Sequence, residues 1–217
     1  TGDRGDTGLS DGRVSVPVDR FQNTRQPDLD WWRELWPDPA AVLCDLGLEA
    51  GDSLADVCCG DGHFAIPAAR IVAPAPVYAI DADGTMLDEV DARAVELGLE
   101  NVVTVSGDAR ALSSLLPERV DAVLIANTFH GVEAPTAFAE QVFRSLRPGG
   151  RFLVVNWQDR PATETTVLGE PRGPPAELRM APDETRSVVA PAGFEPSDEV
   201  DLPPYHYGLV FRRSHDR

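Results

Sequence analysis

The sequence predicts an α/β fold: a doubly wound sheet of seven strands with helices on both faces. Three observations carry that expectation. Apolar segments of strand length alternate with segments of helix length from Ser53 to Trp157. The first strand segment runs into a turn holding two glycines, Gly60 and Gly62. The second ends on an acid, Asp81. Strands this apolar, separated by helices of about ten residues, require parallel pairing with both faces buried.

The elements follow in order. Residues 1–27 are polar, rich in Gly and Asp, and without a period, so they read as a flexible leader to a single domain over 28–217. In "DLDWWRELWPDP", Asp28 or Asp30 can cap a short helix that Pro37 ends, with Trp32 and Trp36 on one face. Those indoles serve either the core or a lid over a pocket. A second helix near Ala40 to Leu46 stops at Gly47. "SLADVC" is then a strand, which Gly60 and Gly62 turn into a helix reaching Val72. "VYAID" is the second strand, followed by a helix from Thr85 to Leu97. "VVTVS" is the third, followed by a short helix from Ala111 to Leu116. "VDAVLIAN" is the fourth, and the helix from Pro135 to Leu146 carries Phe138, Val142 and Leu146 on one stripe. "PGG" ends that helix and "RFLVVNW" is the fifth strand. A long loop rich in Pro and Gly precedes a helix near Pro182 to Ala192, and "FEPSDEVDL" with "HYGLVFRRS" closes the chain as a strand pair.

Composition narrows the class of partner. Of 217 residues, 42% are apolar, enough for a core. Net charge is −17, from 36 acids against 19 bases, and every base is Arg. So acidic a surface repels phosphate backbones and argues against nucleic acid. No apolar run is long enough to span a membrane, and the N-terminus lacks the apolar stretch of a signal peptide. Cys44, Cys58 and Cys59 are an odd count with one adjacent pair, which suits a reducing cytoplasm better than a disulfide framework. Without a CxxC spacing or a His pair four apart, no metal is expected. Oligomeric state is left open.

In sheets of this kind ligands bind beyond the carboxyl ends of the strands. Gly60 and Gly62 let the backbone turn tightly, and N–H groups at the following helix start face the space they leave. Asp56 lies near the end of the first strand. Asp81, 19 residues after Gly62, is placed to accept hydrogen bonds from both hydroxyls of a ribose. Asp108, in "SGDAR", marks the neighbouring pocket. A dinucleotide turn needs G-x-G-x-x-G. Here His63 and Phe64 follow the two glycines, and no Arg or Lys lies in the turn. A ribose-bearing ligand without phosphate fits better.

Taken together, these motifs resemble those of the class I S-adenosylmethionine-dependent methyltransferases, and in particular the branch containing the ubiquinone/menaquinone-biosynthesis methyltransferases. The resemblance covers residues 38 to 213. "DVCCGDG" is similar to D-x-G-x-G-x-G, with Cys58 in place of the first glycine. "AIDAD" resembles the ribose-binding strand end, "GDA" the adenine-side motif, and "IANTFHGV" the fourth strand with the start of the substrate side. "LRPGGRFLVVNW" resembles the turn and fifth strand, and "PYHYGLVF" the closing hairpin of one subset of relatives. The resemblance implies a Rossmann-like sheet, mostly parallel with an antiparallel last strand, and S-adenosyl-L-methionine as cofactor. It further implies that backbone at Asp56, Gly60 and Gly62 holds the methionine part, with Cys58 in the same cradle. Asp81 would hold the ribose, with Ala82 beside the adenine. Asp108 would reach the adenine amino group with Ala109 alongside, and Asn127 would face the sulfonium.

Methyl transfer from a sulfonium is an in-line displacement in which the protein supplies alignment and a water-poor site. A base is needed only when the nucleophile must lose a proton. Candidate catalytic residues are His130, just past the fourth strand, and Tyr205 and His206, which the last hairpin is expected to bring to the substrate mouth. His63 is assigned no role. The acceptor is expected to be a small, partly apolar molecule in a pocket shaped by the aromatic N-terminal segment, the Pro/Gly loop and the hairpin. The alternative is a non-catalytic protein that binds S-adenosylmethionine or S-adenosylhomocysteine; a nicotinamide dehydrogenase would need a phosphate-binding turn.

Overall fold

The computed structural model describes Phe21 and residues 27–214. Most of the segment read as a leader lies outside the described residues. The chain enters through α1 (Leu29–Leu35) and α2 (Pro39–Asp45). Asp28 occupies the N-cap position of α1 without a side-chain bond, and Asp30 instead accepts the Trp31 N–H at 2.7 Å. Asp38 caps α2 by accepting the Ala41 N–H at 3.0 Å, with Pro39 in the first turn where its missing N–H costs nothing.

Four β-α units and a fifth strand follow as the apolar pattern predicts. They are β1 (Leu54–Val57) with α3 (Ala65–Val72), β2 (Val77–Asp81) with α4 (Gly84–Glu96), and β3 (Val102–Ser106) with α5 (Leu112–Leu115). Next come β4 (Val120–Ala126) with α6 (Pro135–Ser145), and β5 (Leu146–Trp157). β5 starts earlier than expected and includes the "PGG" turn. Val120 still pairs with Leu146, and a register shift between Val120 and Ala122 absorbs the turn as a bulge does.

The Pro/Gly loop is not wholly irregular. It holds a two-stranded ribbon, β6 (Thr166–Val167) and β7 (Glu170–Pro171), turned by Leu168 and Gly169, both at positive φ. Leu-Gly lacks the Asn-Gly or Asp-Gly signature of such turns, so the hairpin does not show in the sequence. α7 (Pro182–Val189), β8 (Phe194–Leu202) and β9 (His206–Arg213) complete the chain.

The strand order is β3-β2-β1-β4-β5-β9-β8. β1 to β5 are parallel, while β9 inserts antiparallel between β5 and β8. The seven-stranded sheet, mostly parallel with an antiparallel last strand, is as expected. Leu54 and Ala55 project to opposite faces, into two separate cores. One core packs α1 to α4 through residues such as Trp36, Leu43, Ile66 and Val90. The other packs α5 to α7 through Leu112, Phe138, Val142 and Val189. Phe138 and Val142 fill the stripe read from the sequence of α6, each stabilising by roughly 1.5–3 kcal/mol when buried. Among the described residues no helix is long and apolar enough to cross a membrane.

Candidate functional site

Strand order reverses between β1 and β4, because the chain leaves β3 at one edge and returns beside β1. The carboxyl ends of the strands part there, and a cavity of about 420 Å³ opens along them. That volume falls in the usual range of small-molecule sites, roughly 300–1,000 Å³. Asp56, Cys58, Gly60, Asp81, Ala82, Asp108, Ala109, Asn127 and His130 all line it. Gly62 lies just behind, beneath α4: a Cβ there would meet Val90 at 2.9 Å, and its φ of +80° is open to glycine.

The cradle turn is held by side chains that reach back to it. Asp81 at the end of β2 accepts the Gly60 N–H at 2.9 Å through Oδ2 and the Asp83 N–H at 2.9 Å through Oδ1. Arg93 of α4 donates to the Asp61 carbonyl at 2.9 Å. Cys58 stands where the motif has glycine and keeps the left-handed conformation, at φ +59°. A β-carbon in that region costs roughly 1–2 kcal/mol. Burial pushes the Cys58 and Cys59 thiols up, with the charges of Asp56 and Asp81 adding to the effect, so neither is a thiolate at neutral pH. Replacing Cys58 by Gly is therefore expected to preserve ligand binding and to raise stability by up to about 1 kcal/mol, since relief of strain outweighs the entropy gained by the unfolded chain. Thermal unfolding of the variant, with Cys59→Ser added as a second change, checks this; a fall in melting temperature for Cys58→Gly alone would refute it.

Asp56 is 2% exposed, and its Oδ2 faces no hydrogen-bond partner. Burial, with the Asp81 charge adding to it, raises this carboxyl to about 8. Asn127, just past β4, sits at φ +57° with both amide atoms buried and unpartnered. Asn tolerates that conformation better than most residues, and strain of this kind concentrates at ligand sites. Asp108 caps the turn after β3 by accepting the Arg110 N–H at 2.8 Å, and it pairs with the Arg110 guanidinium at 3.0 Å. Phe21 is buried at this end of the cavity, beneath Arg110 and edge-on to Phe138.

The predicted catalytic residues separate. His130 is buried in the single 3-10 turn after β4 and reaches the cavity. Tyr205 and His206 do not line it. His206 begins β9 opposite Trp157, and its ring is enclosed between Trp36 and Trp157, with centroids at 4.4 and 4.1 Å. Its nitrogens have no hydrogen-bond partner, and burial, with Arg179 and His130 adding to it, drives its pKa well below the usual value. Tyr205 stacks on Trp157 and donates its hydroxyl to the Thr166 carbonyl at 2.9 Å. The hairpin expected at the substrate mouth thus supports the wall from behind, because Trp36 and the loop that carries β6 and β7 fill the intervening space.

Among the lining residues outside the motifs are Trp31, His63 and Arg172. The sequence of α1 signals Trp31 only as part of an aromatic cluster. His63, assigned no role, packs against Trp32 and Phe64 at the cavity wall. Nothing local distinguishes Arg172 from the other arginines of its loop.

Residues 54–150 match the family model of a methyltransferase domain. Over 73 residues the chain is 42% identical to a probable cobalt-precorrin-6B C(15)-methyltransferase (decarboxylating) of Methanosarcina acetivorans, covering 34% of this chain and 40% of that protein. Over 126 residues it is 29% identical to a demethylmenaquinone methyltransferase of Anoxybacillus flavithermus, covering 57% and 50% respectively. The chain therefore spans about half the length of the curated relatives it matches. A solved structure of a SAM dependent methyltransferase from Aquifex aeolicus superposes with a TM-score of 0.71 at 26% identity, over 83% of this chain and 92% of that one.

Proposed function

We propose, from the premise that residues 54–150 of this chain are a class I S-adenosylmethionine-dependent methyltransferase domain, that the whole protein transfers a methyl group to a small, partly apolar acceptor. S-adenosyl-L-methionine is the cofactor of such domains. When bound, it supplies an electrophilic methyl group on a sulfonium, open to in-line displacement.

The residues fit that cofactor, and the observation that carries the reading is the pair of unpartnered polar groups in the cavity. The orphaned Oδ2 of Asp56 suits the α-ammonium of the methionine part. Asp81 has one lone-pair direction left on each oxygen after its two backbone bonds, enough for two ribose hydroxyls. Asp108 and Ala109 lie where an adenine edge would rest, beside Ala82. Asn127 lines the same cavity with both amide atoms unpartnered, and would lie near the sulfonium. With a nucleophile that carries a proton, His130 is the base within reach, while the aromatic wall excludes water from the acceptor end.

Calorimetric titration with S-adenosylhomocysteine, with NADH as control, tests the reading. Binding of the first alone supports it. Binding of neither by folded protein would sink it, and binding of NADH would favour a dehydrogenase. His130→Ala is expected to lower turnover of a hydroxyl acceptor by roughly 10²-fold or more while S-adenosylhomocysteine still binds, as for loss of a general base. Unchanged turnover would remove His130 from the chemistry.

A further inference from the structure

We infer that the acceptor end of the cavity recognises a small aromatic carboxylic acid, its ring beside the indoles of Trp31 and Trp32 and its carboxylate on the guanidinium of Arg172. The inference rests on the methyltransferase reading and adds a substrate class to it.

Asp56, Asp81 and Asp108 line the cavity at the ends of β1, β2 and β3, and Asp28, Asp61 and Asp83 also border it. The indoles of Trp31 and Trp32, on α1, line it together with His63, His130 and Arg172. Trp31 and Trp32 meet edge-to-face with centroids 5.6 Å apart. Indole walls of this kind favour a flat ring, which packs edge-on or offset against them.

Arg172 is the cation of that end. Its guanidinium lies 5.0 Å from the Trp31 ring centroid. Its Nε is buried without a hydrogen-bond partner, and among the described residues no carboxylate forms an ion pair with it. Arg110, the other arginine of the cavity, is by contrast paired with Asp108 at 3.0 Å. Arg172 is half-buried, with its Nε enclosed and, among the described residues, no carboxylate paired to it, so a carboxylate that enters the cavity finds donors on the guanidinium that no other acid occupies. The planar fork also matches a carboxylate with two parallel hydrogen bonds.

The loop presents this side chain from a fixed backbone. The Arg172 N–H donates to the Thr165 carbonyl at 2.8 Å. The Arg172 carbonyl accepts from Thr165 Oγ1 at 2.8 Å and from Arg179 Nη2 at 3.0 Å. Arg179 is itself buried and also donates to the Pro174 carbonyl at 3.0 Å. Gly173 lets the loop lie flush on the wall: a Cβ there would stand 2.9 Å from both Trp157 and Arg179. A cationic amine is disfavoured at this end, because the guanidinium already occupies the Trp31 face and repels a second positive charge.

The test uses the full chain loaded with S-adenosylhomocysteine and titrated with 4-hydroxybenzoate, its methyl ester, and tyramine, followed by tryptophan fluorescence and calorimetry. The acid is expected to bind about tenfold or more tighter than the ester or the amine, the range of a charge-assisted hydrogen bond. Arg172→Met, which keeps the stem over Trp31, is expected to erase that preference while leaving S-adenosylhomocysteine affinity in place. No saturable binding of the acid, equal binding of acid and ester, tighter binding of tyramine, or a preference that survives Arg172→Met would each overturn the inference. Failure of S-adenosylhomocysteine to bind would instead fell the methyltransferase reading, and the inference with it.

Discussion

Asp81→Ala is expected to weaken S-adenosylhomocysteine binding by more than about tenfold, because the half-buried carboxylate proposed to accept two ribose hydroxyls is lost. The effect is compounded by the apo contacts. Asp81 accepts backbone N–H groups from Gly60 and Asp83 at 2.9 Å each, so one carboxylate ties the end of β2 to the cradle turn of β1. Alanine would remove the proposed ribose acceptor and free the turn proposed to hold the methionine part. Asp81→Asn keeps one acceptor oxygen and should fall between the two. Calorimetry on variants whose thermal unfolding remains cooperative separates lost binding from lost folding; an unchanged dissociation constant for Asp81→Ala would remove the ribose assignment.

Asp56 sets a pH dependence of both stability and binding. Its carboxyl titrates at about 8 in the ligand-free fold, against 3.8 for the free side chain, chiefly because it is buried and secondly because Asp81 is charged nearby. A raised folded-state pKa means that the folded protein holds the proton more tightly than the unfolded chain does. The stabilisation is therefore complete below pH 4 and is lost as pH rises towards 8, by an amount on the order of a few kcal/mol. Binding of a cationic ammonium favours the carboxylate, so ligand binding below pH 8 releases a proton, and affinity should rise with pH by up to about tenfold per unit. Asp56→Asn should flatten both dependences and weaken binding at pH 8. Melting temperatures from pH 5 to 8, and titrations in buffers of different ionisation enthalpy, report the two effects. If wild type and Asp56→Asn lose stability with the same slope, the dependence has another source.

Much of this site is legible one short stretch at a time. The turn of Gly60 and Gly62, the acid ending β2 and the "GDA" after β3 each belong to a single strand end, and a doubly wound sheet brings all such ends to one side. Asp56, Asp81, Asp108 and Asn127 consequently line one cavity. Tyr205 and His206 could not be placed the same way. They do sit at the correct end of the sheet, but which residues cover them depends on segments far away in the chain. Trp36 comes from the junction of α1 and α2, and Thr166 from the ribbon turned by Leu168 and Gly169.

By itself the sequence determined the order of strands and helices, the parallel sheet and the glycine turn after β1, because apolar period and the backbone freedom of glycine act locally. The tertiary structure alone decided the indole-lined end of the cavity. Trp31, His63 and Arg172 meet there from three separate segments, and His206 is sealed behind Trp157. Contacts between distant segments depend on how whole elements pack, and a lone Arg in a loop carries no mark of the indole it will cover.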